Sequence, residues 1–458
     1  MGFAFYDLIF LALFLLVFVV FLVLKKHNLK RQGLLYLYRT KIGINIIDWT
    51  AKKFSNVLKP AQYLVITSGY VLMGIVIWFL IKFSYFYLTS PYAAKALKVP
   101  VLMPLIPYLP EIFKIDFLPP FYFTYWIVII AIIAIPHEFA HGIFARLNKI
   151  RVHSTGFGFL GPFLAAFVEP DEKEMAKSRK MPQLAVLASG TFANIIVSLI
   201  FALLLLLFFV SSFSAAGVNF NAYSTSPVNI SDISYIGEIP SADSGLIELK
   251  ANNLSYFTSP ILLQNALNSS TSQIEAYDSS PAFNSKLSGA IFEINGQKIL
   301  SQEELSKAIL SNSPGDEIIV KTIDIKNSSI RTYNLVLSER NGKAFLGIGI
   351  IPSGSLMSSR IMNVVSKIKD PSIYYTSPLG SFGIFIYDLL WWIVLVSISV
   401  ALVNMVPVGI FDGGRFFYLT ILAISKKEAI AKRAFQISTV FILVVVALLM
   451  VKWIFVFI

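Results

Sequence analysis

The 458-residue chain contains no cysteine. That excludes disulfides, thiolate metal sites and a cysteine nucleophile, so any metal must be held by imidazole and carboxylate. Histidine is scarce as well: His27, His137, His141 and His153 are all there are. Charge is sparse, at 14% of residues against 56% hydrophobic, and mean hydropathy is +0.71. Such a chain is a multi-span membrane protein and not a soluble domain. No Lys or Arg precedes the first apolar run and no small-residue cleavage site follows it. The start is therefore expected to be an uncleaved anchor with its N-terminus outside.

The net charge of +12 is unevenly spread. Residues 211–378 carry 12 Lys/Arg against 14 Asp/Glu, and the remainder carries 26 against 12. The basic excess flanks apolar runs, which is the positive-inside pattern; it points to a lipid bilayer and not to nucleic acid. Six spans are expected, at about 8–24, 63–81, 123–145, 184–210, 382–406 and 435–458, with both termini and 213–378 outside. The basic stretch 24–60 is then a cytoplasmic loop, either solvated or carrying an interfacial helix with Ile46, Ile47, Ala51, Phe54 and Leu58 on one face. The outer loop 85–121 is broken by Pro100, Pro104, Pro107, Pro110, Pro119 and Pro120 and is read as an outer-surface or re-entrant segment.

The third span ends in His137-Glu138-Phe139-Ala140-His141, with Arg146, Lys149 and Arg151 marking its cytoplasmic end. At i and i+4 on a helix the two imidazoles lie on one face, a spacing that grips one Zn²⁺ while Glu138 stands beside a water on the metal. The bland alternative is two core histidines and a buried acid. An ionised side chain inside a bilayer costs about 2.5–3.5 kcal/mol on insertion scales and is rarely idle. Residues 153–170 are too glycine-rich to span and alternate small with aromatic side chains, as a β-hairpin dipping toward the membrane does. That hairpin is either a plain surface element or an edge on which an extended peptide adds as a strand. In the fourth span Ser189-Gly190-Thr191 permits close helix contact. Asn194 either makes a packing hydrogen bond or points at the site.

A catalytic zinc needs a third protein ligand and an open position. His153, Glu169, Asp171 and Glu172 lie at the surface. Asp412 sits at the cytoplasmic end of the fifth span, at the depth of His137 and His141, where Pro407, Gly409, Gly413 and Gly414 are expected to interrupt the helix and turn the carboxylate inward. Its alternative is a turn residue in Asp-Gly-Gly.

The order His137-Glu138-x-x-His141, Gly190 to Asn194, then Asn404-x-x-Pro407-x-x-x-x-Asp412-Gly413-Gly414 resembles the site-2 protease family of intramembrane zinc metalloproteases over about 120–212 and 380–430. The family's usual further proline between Pro407 and Asp412 is replaced here by Gly409 and Ile410. The resemblance implies one zinc per chain held by His137, His141 and Asp412, Glu138 as general base, Asn404 on the scissile carbonyl or its oxyanion, and Asn194 lining the site. It also implies membrane-protein substrates with a transmembrane segment, often pre-cut by another protease.

Within the outer region, Ser280-Pro281-Ala282, Leu287 to Ile299 and Pro314-Gly315-Asp316-Glu317 resemble a PDZ domain of bacterial membrane proteases. Asn295-Gly296 reads as a hairpin turn, and Ser301 caps a short helix with Glu304 at its third position. Sequons at Asn229, Asn253, Asn268 and Asn327 fall in the same region. The expected architecture is a polytopic α-helical membrane protein with six transmembrane helices, a membrane-associated β-hairpin and an extracytoplasmic α+β PDZ-like domain. Its divisions are 1–120 (two N-terminal spans), 121–212 (motif helix, hairpin and fourth span), 213–275 (no recognisable fold), 276–352 (PDZ-like) and 353–458 (fifth and sixth spans). Three other readings stay open. One is a PDZ-bearing scaffold or pseudoprotease without turnover, another a zinc protease whose third ligand is a Glu on a soluble segment. The third is a transporter, for which no inverted repeat of motifs is visible.

Overall fold

The computed structural model describes residues 3–25, 27, 29–32, 35–90, 105–113, 115, 118–160, 163–238, 245–269, 271–324, 329–349 and 368–457. Pro100 and Pro104 of the outer loop, Gly161 and Pro162 at the hairpin tip, the sequon at Asn327 and the end of the PDZ-like stretch at 350–352 lie outside them. The chain divides into two units, residues 1–207 with 384–458, and residues 208–383.

The principal helices are α1 (Phe3–Lys25), α2 (Ile44–Lys53), α3 (Ser55–Thr89), α4 (Phe123–Leu147), α5 (Lys180–Ser212), α6 (Pro260–Asn268), α7 (Gln302–Leu310), α8 (Gly380–Asn404), α9 (Asp412–Ser425) and α10 (Glu428–Phe457). Among the described residues six of these, α1, α3, α4, α5, α8 and α10, are long and apolar enough to cross a membrane. The chain is thus a polytopic membrane protein, and the six runs expected from hydropathy are these helices. Their ends run further than expected in α3, which covers 35 residues, and stop short in α8, which ends at Asn404 and not near residue 406.

One core of the first unit joins α3, α4, α5 and α9 through Val65, Leu72, Phe144, Ala185, Ala188, Phe416 and Leu419. A second joins the start of α4 to α8 through Phe121, Tyr125, Ile129, Trp392 and Val396. The start of α4 is capped from far away in sequence. Asp7 of α1, 1% exposed, accepts hydrogen bonds from Phe123 N at 2.8 Å and Thr124 N at 2.9 Å, and from the hydroxyls of Thr124 and Tyr108. These backbone donors have no partner inside the helix, and a carboxylate also complements the positive end of the helix dipole. At the opposite kind of terminus, Lys452 Nζ of α10 donates to the Tyr87, Leu88 and Ser90 carbonyls that end α3. Two charges that would be costly in lipid are thereby spent on helix ends.

The expected hairpin is present as β3 (Val152–Leu160) and β4 (Phe163–Pro170), antiparallel from Val152↔Pro170 to Leu160↔Phe163. It is not a lone hairpin. The basic stretch after α1 contributes β1 (Leu29–Gln32) and β2 (Leu35–Thr40), giving a sheet of order β1-β2-β3-β4. The solvated-loop reading of residues 24–60 is corrected by these strands, while a helix carrying Ile46, Ile47 and Ala51 is present as α2, which ends before Phe54 and Leu58. Of the face expected in α2, Ile47 and Ala51 are buried, whereas Ile46 and Phe54 are exposed.

Among the described residues the second unit holds two short two-stranded sheets and two larger antiparallel ones. One runs Thr225–Asn229, Gln273–Asp278, Leu254–Thr258, Ile247–Ala251, Ile233–Glu238, with Leu263 of α6 in its core beside Val228, Leu249 and Ile274. The stretch 213–275, unassigned from sequence, thus supplies four of these strands. The other sheet runs Ile330–Val336, Glu317–Ile323, Ala290–Ile294, Ser214–Val218, Ile373–Thr376, with Gln297–Lys298 also on Ala290–Ile294. Two of its strands come from outside 276–352. The expected turn is there, with Asn295 and Gly296 at φ 48° and 82°, the signature of a two-residue hairpin. Ser301 Oγ accepts from Glu304 N at the start of α7, and Glu304 Oε2 accepts from Leu300 N.

Asp7→Leu is expected to lower the stability of the detergent-purified protein by about 1–2 kcal/mol, the scale of a lost N-cap. Asp7→Asn should retain most of it. Thermal unfolding followed by helical circular dichroism checks both.

Candidate metal centre

The ring atoms are set by helix periodicity. His137 and His141 are one turn apart on α4, both buried, and their Nε2 atoms lie 3.1 Å from each other. Asp412 Oδ2 is 3.4 Å from His137 Nε2 and 3.3 Å from His141 Nε2. Four ligands at 2.0–2.2 Å around a tetrahedral ion stand about 3.3–3.6 Å apart, so these three atoms have nearly the spacing of three corners of a zinc site. The donor set, two imidazoles and a carboxylate, is also one that zinc accepts, with the fourth corner open. Glu138 shares the cluster, its carboxylate within 4.8 Å of the ring nitrogens. Its Oε2, however, is engaged by the Val168 N–H at 2.9 Å, and Asp412 is the nearer carboxylate.

Helix α5 supplies what the rings need behind and beside them, along one stripe at four-residue spacing. The Val186 carbonyl is 2.7 Å from His141 Nδ1. A carbonyl only accepts, so His141 Nδ1 carries a proton, and in the neutral ring the lone pair of Nε2 then faces Asp412. Gly190 is next. A Cβ there would stand 2.4 Å from His141 Nε2 and 2.6 Å from His137 Nε2, in the space both nitrogens share. Asn194 follows, fully buried, with its amide 3.1 Å from His137 Nδ1.

Asp412 arrives by a break in the chain. Residues 405–411 are not helical, and α9 begins at Asp412 itself, where a carboxylate is favoured by the helix dipole. The interruption expected at Pro407 and Gly409 is therefore present. Gly413 and Gly414 instead lie in the first turn of α9. A Cβ on Gly413 would be 2.4 Å from the Met405 carbonyl carbon, and one on Gly414 2.3 Å from the Val408 oxygen. Both glycines let the broken segment cross the helix start at backbone contact, and this crossing fixes where Asp412 points. The turn-residue reading of Asp412 is replaced by a helix-start residue.

A cavity of about 1030 Å³ opens on the cluster, lined by His137, Glu138, His141, Asn404, Asp412 and residues 164–170 of β4. Asn404 thus faces the same space as the three ligand candidates. His153 does not join them: it lies 3.1 Å from Asp171. The backbone N–H of Glu174, with His153 and the N–H of Lys173, holds the Asp171 carboxyl below its ordinary range. Another feature absent from the sequence reading lines the cavity: Arg39 of β2, bonded through Nε and Nη2 to both oxygens of Glu169 at 3.0 Å. Burial disfavours the charged form of Glu169, yet the hydroxyl of Ser154 and the Arg39 guanidinium outweigh it and keep the carboxyl low. Gly190 had a signal, the small-residue run at 189–191, but it reads as helix packing until the rings are placed. The Val186 carbonyl has no side-chain signal at all.

Gly190→Ala is expected to fold, since alanine favours helix, and to purify with zinc reduced from the wild-type level to background. Metal analysis beside circular dichroism checks it; a full complement of zinc in the alanine variant would contradict the geometry.

Peptidase family M50 matches residues 125–449, a range that contains the two histidines, the stripe on α5 and Asp412. The zinc metalloprotease RasP of Shouchella clausii (strain KSM-K16) is 26% identical over 193 residues, covering 36% of this chain and 45% of that protein. The similarity thus spans less than half of the relative's length. With the family match extending over most of the chain and through every motif of the cluster, this protein belongs to peptidase family M50, the site-2 proteases.

Proposed function

We propose that the protein is an intramembrane zinc endopeptidase that hydrolyses peptide bonds within or near transmembrane segments of other membrane proteins. The observation that carries this is the meeting of His137, His141 and Asp412 within 3.4 Å of one another, with Glu138 alongside, in a cavity walled by apolar helices. One zinc per chain suits this donor set.

Zinc, when bound, polarises the scissile carbonyl and brings the pKa of a water toward ~7. The rest falls to side chains of this protein. Val168 N–H holds Glu138 Oε2, which leaves Oε1 to take the proton of the attacking water and pass it to the leaving amine. The amide of Asn404, on the same cavity, is the donor for the oxygen of the scissile bond as it gains charge.

A transmembrane helix hides its carbonyls in internal hydrogen bonds and must be opened before it is cut. The edge of β3 is already paired with β2, so the edge offered to a substrate is that of β4. Val168 turns its N–H away from β3, toward Glu138. By the two-residue period of a strand, Leu164 and Ala166 present their backbone groups on that same edge. An extended segment laid there would run into the cluster.

Arg146 in the last turn of α4, with Lys149 and Arg151 just after it, supports an active site toward the cytoplasmic side, with both termini and 213–378 outside. The capped helix α7 and the Asn295-Gly296 hairpin support a PDZ-like domain around 276–352, completed by the strand Ser214–Val218. Such a domain either binds a peptide end left by an earlier protease or excludes substrates with large outer domains.

The test is cleavage of single-span membrane proteins in liposomes by wild type and by Glu138→Gln. Loss of a general base is expected to slow turnover by about 10²–10⁴-fold while zinc stays at one per chain. Equal turnover, or no cleavage of any span by the zinc-loaded wild type, favours the scaffold or pseudoprotease reading instead.

A further inference from the structure

We propose that Asn194 is a positioning residue that selects the tautomer of His137: its amide oxygen accepts the Nδ1 proton and so leaves Nε2 bare toward Asp412 and His141. The inference rests on the metal reading of the site given above.

A neutral imidazole carries one ring proton, and a nitrogen that binds a metal cannot be the one that holds it. His137 Nε2 is the atom 3.1 Å from His141 Nε2 and 3.4 Å from Asp412 Oδ2. If it is to face them with a lone pair, the proton must sit on Nδ1. The atom nearest Nδ1 in this structure is the Asn194 amide nitrogen Nδ2, 3.1 Å away; the proposed orientation is its half-turn, with Oδ1 in that place. Asn194 is fully buried, and among the described residues its Oδ1 has no hydrogen-bond partner. Nothing else therefore dictates which end of the amide faces the ring. A half-turn of the amide exchanges oxygen and nitrogen at nearly identical positions.

The two orientations have opposite consequences. With NH₂ toward the ring, Nδ1 must accept, the proton moves to Nε2, and a hydrogen points into the space between the three ligand atoms. With oxygen toward the ring, Nδ1–H is held and Nε2 is free. The neighbouring ring sets the precedent. His141 Nδ1 meets the Val186 carbonyl, eight residues earlier on the same face of α5, and that partner can only accept. With the Asn194 amide turned, one helix offers each imidazole an oxygen, from the main chain at 186 and from the side chain at 194, with Gly190 leaving room between them. Groups in this position behind a metal-bound histidine fix its orientation, and their loss typically weakens metal binding by 10–100-fold.

The experiment measures zinc affinity by chelator competition on the purified full-length protein, with the visible spectrum of the Co²⁺-loaded form as a second readout. Wild type is compared with Asn194→Asp, Asn194→Ala and Asn194→Leu. A carboxylate can only accept, so Asn194→Asp is expected to bind zinc at least as tightly as wild type and to keep the tetrahedral Co²⁺ spectrum. Asn194→Ala and Asn194→Leu are expected to lose about 10–100-fold in affinity. Should either apolar variant not fold, the other still provides the contrast with Asp. Affinity unchanged in Asn194→Ala or Asn194→Leu would overturn the proposal, leaving Asn194 to packing or substrate contact. Loss of zinc in Asn194→Asp alongside the apolar variants would overturn it too, since the amide would then be a donor. A wild type that binds no zinc removes the metalloprotease reading and this inference together, whereas normal zinc in all four proteins removes this inference alone.

Discussion

Three lone-pair-bearing atoms that face one another inside a membrane protein repel unless a cation or a proton stands between them. That constraint governs the arrangement around His137, His141 and Asp412. Each histidine ring is braced from behind by α5, and turning either away gives up that contact. The backbone crossing at Gly413 and Gly414 fixes where the Asp412 main chain stands beside the two rings. The apolar core of α3, α4, α5 and α9 therefore does more than exclude lipid. It holds in place a cluster whose members, left to themselves, would separate.

The same economy of polar groups runs through the rest of the first unit. Charges placed among apolar helices meet main-chain groups at helix ends and a strand edge: Asp7 at the start of α4, Lys452 at the end of α3, Glu138 on the edge of β4. In each case the side chain replaces solvent for a backbone group, and the backbone group replaces solvent for the charge. The edge strand β4 and Glu138 are linked by this device, so the strand proposed to meet a substrate and the group proposed to move its proton are held in one register.

Much of this was legible in the sequence because it is encoded locally. The i, i+4 histidines, the hydropathy of six spans, the Asn295-Gly296 turn and the Ser301 cap each depend on a few neighbouring residues. Asp412 was reachable because charge in the loops fixes depth, and depth is shared across spans. What stayed hidden is what depends on a distant partner. The strands at 29–40 are rich in charge and look like loop until β3 offers them an edge. Asp7 looks like a stray acid until Phe123 and Thr124 lie against it. Gly190 and the Val186 carbonyl gain meaning only once two rings occupy the space beside them, and the sheet between residues 225 and 278 carries no motif by which it could be named.

The claim on which everything else rests is that two helices far apart in the chain share one metal ion. X-ray absorption at the zinc edge of the purified protein reads this directly. The expected spectrum has two imidazole ligands and oxygen donors at about 2.0–2.2 Å in four-coordinate geometry, and it disappears in Asp412→Ala. A six-coordinate all-oxygen spectrum, or one that Asp412→Ala leaves unaltered, would contradict it.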